Sequence, residues 1–177
     1  LNVDAGAHTA LSFDGVDDRV SIPHSDSLDI RRAITLEAWF KVDKFQGGWM
    51  PLIQKADGSG AGKRTYSVWI NSSSQYIHLT SADAEGQECV NTLTNTIVEG
   101  QWYHFAGVTD RESGKITIYL NGREINSSAI RKRVRSSHTS PLLISGTLET
   151  NSAYKPFAGQ IAEVRVWNVA RTPVQIK

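Results

Sequence analysis

ITLEAWFKV, residues 34–42, alternates throughout: Ile34, Leu36, Ala38, Phe40 and Val42 fall between Thr35, Glu37, Trp39 and Lys41. A period of two puts the first set on one face of a strand and the second on the other. A helix would need its apolar residues three and four apart. KITIYLNGREI, residues 115–125, repeats the pattern with Ile116, Ile118 and Leu120, then adds Asn121-Gly122. That dipeptide suits a two-residue hairpin turn, because both positions need a positive φ. WYHFAGVTD, residues 102–110, leads into this hairpin across 111–114.

Working outward, RVSI (19–22), YSVWIN (66–71), YIHLTSA (76–82), PLLISG (141–146) and QIAEVRVWN (160–168) read as further strands. ADGSGAGK (56–63) and NSSS (71–74) between them are turn and loop compositions. GGWMP (47–51) also reads as a loop, which would carry Trp49. The one helix signal is terminal, with Thr172 as cap and Pro173 at the first helical position. No linker or internal repeat divides the chain. The expectation is an all-β, two-sheet antiparallel sandwich forming a single domain over residues 1–177, excised from a larger protein.

The formal net charge of +1 carries no general signal for polyanions, and no nucleic-acid recognition module is visible. No apolar run reaches the roughly 20 residues of a membrane span. LNVDAGAHTA, at the start, lacks the basic and apolar stretches of a secretory signal. Cys89 is the sole cysteine, so no disulfide can form within the chain; Glu85 and Glu88 nearby are expected to raise its thiol pKa. Asn71-Ser72-Ser73 and Asn126-Ser127-Ser128 are acceptor triplets for glycosylation in a eukaryotic secretory route.

FDGVDDRV, residues 13–20, crowds Asp14, Asp17 and Asp18. Two readings stand. Asp14-Gly15 makes a tight bend whose carboxylates cap backbone N–H groups, or the mutual repulsion is relieved by a cation. Calcium suits the second, since it takes about 6–8 oxygens in loose geometry. IRKRVRSSH, residues 130–138, holds Arg131, Lys132, Arg133 and Arg135. It is either a solvated edge that blocks aggregation or a strip for sulfated or uronate polysaccharide.

Sugars present C–H faces to flat rings and hydroxyls to polar side chains, so aromatics near amides are the feature to seek. Trp39, Trp69 and Tyr119 share strand parity with polar residues and could pave one groove. Trp102, with His104, Ala106 and Val108, reads as packing. Trp49 and the pair Tyr154-Lys155 lie in loops, where contact residues concentrate. His78 has no second histidine at ligand spacing, so it is a polar neighbour rather than a metal ligand. The candidate sugar contacts are Trp49, Trp69, His78, Tyr119, Tyr154, Lys155 and Arg133. Glycosidases need two carboxylates at fixed separation; ITLEAW offers only Glu37 and AEVRVW only Glu163, and no hydrolase motif occurs. Catalysis is not expected.

ALSFDGVDDRVSIP (10–23), ITLEAWFKV, GQWYHFAGV (100–108), KITIYLNGREI and FAGQIAEVRVWNVART (157–172) together resemble the LamG-like members of the concanavalin A-like lectin/glucanase superfamily. The likeness covers nearly the whole chain and is looser over 43–99 and 126–156. It implies a jelly roll with its first and last strands paired. It also implies a structural calcium near those strands, held by Asp14, Asp17, Asp18 and Glu163 with backbone carbonyls, although the family's acidic pair is here Ala162-Glu163. The function it implies is a non-catalytic, lectin-like module of a secreted or surface protein, such as a polysaccharide-degrading enzyme or adhesin. Its partner would be a glycan, anionic if the basic strip serves. The alternative is a protein-interaction or adhesion domain without sugar affinity.

Overall fold

A computed structural model describes residues 9–56, 58, 60–135 and 139–176. Residues 1–8, Asp57 and Ser59 of the 56–63 loop, and Ser136, Ser137 and His138 of the basic run lie outside the described residues.

Two six-stranded antiparallel sheets form the domain. Sheet A runs in the order β1 (Leu11–Asp14), β12 (Ala158–Trp167), β3 (Ala33–Val42), β8 (Trp102–Asp110), β9 (Lys115–Leu120) and β10 (Arg123–Ala129). Sheet B runs β2 (Val20–Ile22), β11 (Leu142–Ile144), β4 (Trp49–Ala56), β5 (Arg64–Asn71), β6 (Tyr76–Asp83) and β7 (Gly86–Asn91). The first and last strands pair, with Asp14 opposite Ala158 and Leu11 opposite Ile161.

The 34–42 stretch is β3, at the centre of sheet A. Its apolar set Ile34, Leu36, Ala38, Phe40 and Val42 is buried in the core between the sheets, where Phe40 stacks on Tyr103 at 5.6 Å. The hairpin of β9 and β10 turns through Asn121 (φ 50°) and Gly122 (φ 76°), both in the left-handed region that this turn requires.

Sheet B departs from simple alternation. Met50, Leu52 and Ile53 of β4 all join the core, and the register shifts between Pro51 and Ile53. Of GGWMP only Gly47 and Gly48 lie in a bend: Trp49 opens β4, and Pro51 sits at the bulge that tolerates its missing N–H. Such a consecutive apolar run, in a strand covered on both faces, carries no period-two signal. The expected C-terminal helix shrinks to one turn, in which the Gln175 and Ile176 N–H groups donate to Thr172 O. That segment lies on the outer face of sheet A, where Ile176 packs with Ala106, Val108 and Tyr119.

Candidate functional site: the outer face of sheet B

On β5, Tyr66, Val68 and Ile70 enter the core, so Ser67, Trp69 and Asn71 face outward. On β6, Ile77 and Leu79 turn inward and His78 and Thr80 outward. Cross-strand register aligns Pro51, Trp69, His78 and Asn91 in one row and Trp49, Asn71 and Tyr76 in the next. This outward face is not open throughout. Trp69 is 0% exposed, yet stands outside the core cluster. It is covered by loop 145–156, whose Tyr154 ring lies 5.0 Å away.

A polar cluster fixes that loop. Arg64 sits 4.5 Å over the Trp69 ring and donates to Glu149 twice, at 2.7 Å and 3.1 Å, in a bidentate pair. Glu149 also accepts from Gln54 Nε2 at 2.7 Å, from Gly60 N at 3.2 Å and from the Tyr154 hydroxyl at 3.1 Å. The Tyr154 oxygen in turn accepts from Arg64 at 3.0 Å. At the other end of the loop, Trp49 N donates to Ala153 O and Lys155 N to Trp49 O.

Next to the covered part lies an accessible aromatic patch. Trp49 and Tyr76 are half-buried, with ring centroids 5.8 Å apart and edge to face; His78 approaches Trp49 at 5.2 Å. The His78 ring is satisfied at both nitrogens. Its Nδ1–H donates to Asn91 Oδ1 at 2.6 Å, and its Nε2 accepts from Gln87 Nε2 at 2.8 Å. Burial pushes its pKa below the ordinary histidine value; the Asn91 bond opposes that shift and the Arg64 charge adds to it. The imidazole is thus neutral, a polar edge beside an aromatic one. Two donors on this face, Trp69 Nε1 and Ser67 Oγ, are buried without a hydrogen-bond partner among the described residues.

Loop 145–156 also lines a cleft of about 340 Å³. Asp17, Asp18 and Arg19 line one wall, and Asn151, Tyr154 and Lys155 the other. Asp14, Asp17 and Asp18 each offer a carboxylate oxygen within 4.8 Å of the others. Residues 15–17 form a bend rather than a strand, and this bend brings the three carboxylates together. The turn reading is also realised: Asp14 Oδ1 accepts from Val16 N at 2.7 Å, and Asp18 Oδ2 from Asp14 N at 3.0 Å. The donors are all hard oxygens with unused lone pairs, a set that fits calcium.

The structure brings Trp49, Trp69, His78, Tyr154 and Lys155 around one loop. Four other expected residues do not join their sites. Tyr119 is on sheet A, 6% exposed under the C-terminal segment, so the core separates it from Trp69. Trp39 is likewise on sheet A, against His104 at 5.2 Å, and the single groove shared by these aromatics does not exist. Strand parity fixes a face, not a sheet. Glu163 lies outside the aspartate group. It stands five residues beyond the Ala158 that pairs with Asp14, about 16 Å along an extended strand. There it occupies a bulge of β12 with φ 50° and pairs with Arg165. Arg133 pairs with Glu85 at 2.9 Å.

Two members of the basic run, Arg131 and Arg135, are bound to the rest of the domain, while Lys132 and Arg133 are exposed. Arg131 holds Asp83 at 2.8 Å and 2.9 Å. Arg135 is 1% exposed and donates to Thr65 O, Ser81 Oγ and Ile30 O. Burial, with Arg111 nearby, lowers its pKa to about 9. Arg131 and Arg135 are therefore structural ties, which leaves two exposed cations, Lys132 and Arg133, in place of a four-residue strip. Glu88 faces Arg111 and Arg131 instead of Cys89, so the Cys89 thiol is pushed up by burial, not by the carboxylates beside it in sequence. Sequence reading did not single out Arg64, Glu149 or Gln54. Arg64 and Glu149 lie 85 residues apart, and neither belongs to a motif.

Two stacked six-stranded sheets with paired terminal strands define a lectin-like sandwich. The chain belongs to the Laminin_G_3 family of the concanavalin A-like lectin/glucanases superfamily, which it matches over residues 14–177. Its fold is shared by a CBM40 of the Ruminococcus gnavus IT-sialidase, solved with α2,3-sialyllactose: TM-score 0.75, 12% identity, 94% of each chain covered. A candidate carbohydrate-binding protein of Bacteroides ovatus gives TM-score 0.70 at 22% identity, over 94% of this chain and 46% of that one. The NanB sialidase of Streptococcus pneumoniae gives 0.71 at 14%, over 93% of this chain and 26% of that one. No curated protein sequence matches the chain. Among the described residues, no helix is long and apolar enough to cross a membrane.

Proposed function

We propose that this domain is a non-catalytic carbohydrate-binding module of a secreted or surface multidomain protein. The observation that carries the reading is the half-buried Trp49–Tyr76 pair with His78, on a face whose other aromatic, Trp69, is locked beneath Tyr154. Pre-formed aromatic surfaces with a few fixed polar groups suit sugar C–H faces and hydroxyls. Gln87 and Asn91, already aligned by His78, supply amides at its edge. The structural likeness to modules and proteins described by their glycans supports the same reading.

Two buried carboxylates support a non-catalytic role. Glu149 is closed by Arg64, and Glu37 on the other sheet by Arg171 and Trp167 Nε1. They lie on opposite faces of the sandwich and cannot act as the acid and nucleophile of one glycosidase site. We further propose that calcium binds at Asp14, Asp17 and Asp18 with neighbouring carbonyls, holding the bend that forms one wall of the cleft.

A glycan array probed with the wild type and with Trp49→Ala tests the reading. Hits that vanish in a folded Trp49→Ala support it. No hit on diverse glycans overturns it and leaves the protein-interaction alternative.

A further inference from the structure

From the charge arrangement on the outer face of sheet B, we infer that this site takes an uncharged glycan and does not read the carboxylate of a sialic acid. The inference rests on the carbohydrate reading above and narrows its ligand class. An acidic sugar held through its carboxylate needs a free guanidinium or ammonium within hydrogen-bond reach. The guanidinium on this face, Arg64, is already committed. Two of its N–H groups are spent on Glu149, one of those nitrogens also reaches Tyr154, and its plane rests on Trp69. The Glu149 side chain is 0% exposed and that of Arg64 is 7% exposed, so the pair is desolvated and its charges cancel.

A sugar carboxylate brought to Arg64 would also approach Glu149, with little solvent to screen the repulsion. His78, the other titratable group in the aromatic patch, has one ring nitrogen donating to an amide oxygen and the other accepting from an amide N–H. That arrangement describes a neutral ring with no donor left for an anion. What the face offers is uncharged: the Trp49 and Tyr76 rings and the Gln87 and Asn91 amides. The neighbouring cleft sets Arg19 and Lys155 against Asp17, Asp18 and Glu149, so it adds no net positive charge. This is the chemistry of hydroxyl recognition, and it departs from the sialyllactose seen in the Ruminococcus module of the same fold.

The test is an array of neutral glycans printed beside their sialylated, uronate and sulfated counterparts, repeated with calcium and with chelator. Hits are then titrated at low and high salt. The expected result is binding confined to the neutral members, with affinity changing less than about twofold between the two salts. Hits that require a carboxylate or sulfate, or that weaken more than about tenfold in salt, overturn the inference while leaving the carbohydrate reading intact. An array with no hits overturns both. Glu149→Gln adds an independent arm, because it removes the buried anion and keeps the shape. If it folds, it should gain affinity for sialyllactose over lactose. A folded variant without that gain overturns the role of Glu149 in excluding acidic sugars, and an unfolded one leaves the wild-type array to decide.

Discussion

Arg64 and Glu149, 85 residues apart in sequence, meet in two parallel hydrogen bonds of 2.7 Å and 3.1 Å beneath loop 145–156. The pair fastens the loop that carries Tyr154 to the strand that carries Trp69. The same loop lines the cleft, and its backbone bonds to Trp49 through Ala153 and Lys155.

Breaking the pair from one side should therefore be costly. Glu149→Ala leaves a buried guanidinium without its counter-charge and strips the bonds from Gln54, Gly60 and Tyr154. The expected loss is about 3–5 kcal/mol in denaturant unfolding. A loss under about 1 kcal/mol would mean that the loop is not held in this way.

Trp49 and Trp69 should separate cleanly by phenotype. Trp69→Ala opens a cavity in a fully buried site and should cost about 3–5 kcal/mol of stability. Trp49→Ala removes a half-buried ring, and should weaken glycan binding by about tenfold or more while the fold persists. Calorimetry and thermal melts on both variants check this, and the reverse pattern would place the contact surface elsewhere.

Calcium should raise the thermal midpoint, since a ligand that binds only the folded state stabilises it by mass action, about 2.7 kcal/mol at a hundredfold excess over Kd. Asp17→Asn should abolish that shift. Glu163→Gln should preserve it, because Glu163 lies outside the aspartate group. Equal midpoints in calcium and chelator would remove the ion from the description.

Stability should fall on mild acidification. Burial lowers the pKa of both His78 and His104 below the ordinary 6.5. The unfolded chain therefore binds protons that the folded chain refuses as pH drops below about 6.5. The stabilisation conferred by neutral histidine is present above that value, and is lost progressively toward the depressed folded pKa. Urea midpoints measured from pH 7.5 to 5 should decline, and His78→Gln should flatten the decline.

The sheets were legible because period-two patterning is local. β3, β8, β9 and the Asn121-Gly122 turn follow from the order of residues alone. β4 was not legible. With core residues in succession and a proline at its bulge, it has no alternation to read, so from sequence Trp49 reads as a loop residue. The aspartate turn was visible as composition, and its convergence follows from a bend that brings residues 14, 17 and 18 together.

The sequence by itself determined that this chain is a two-sheet sandwich, because the choice between strand and helix is made over a few residues. It also determined, in the strands that alternate, which side chains face away from the core. Only the tertiary structure decided which sheet each outward residue belongs to. That separated Tyr119 and Trp39 from Trp69, turned Arg131 and Arg135 of the basic run into internal ties, and joined Arg64 to Glu149. Those outcomes depend on contacts between residues far apart in the chain, which no local period encodes.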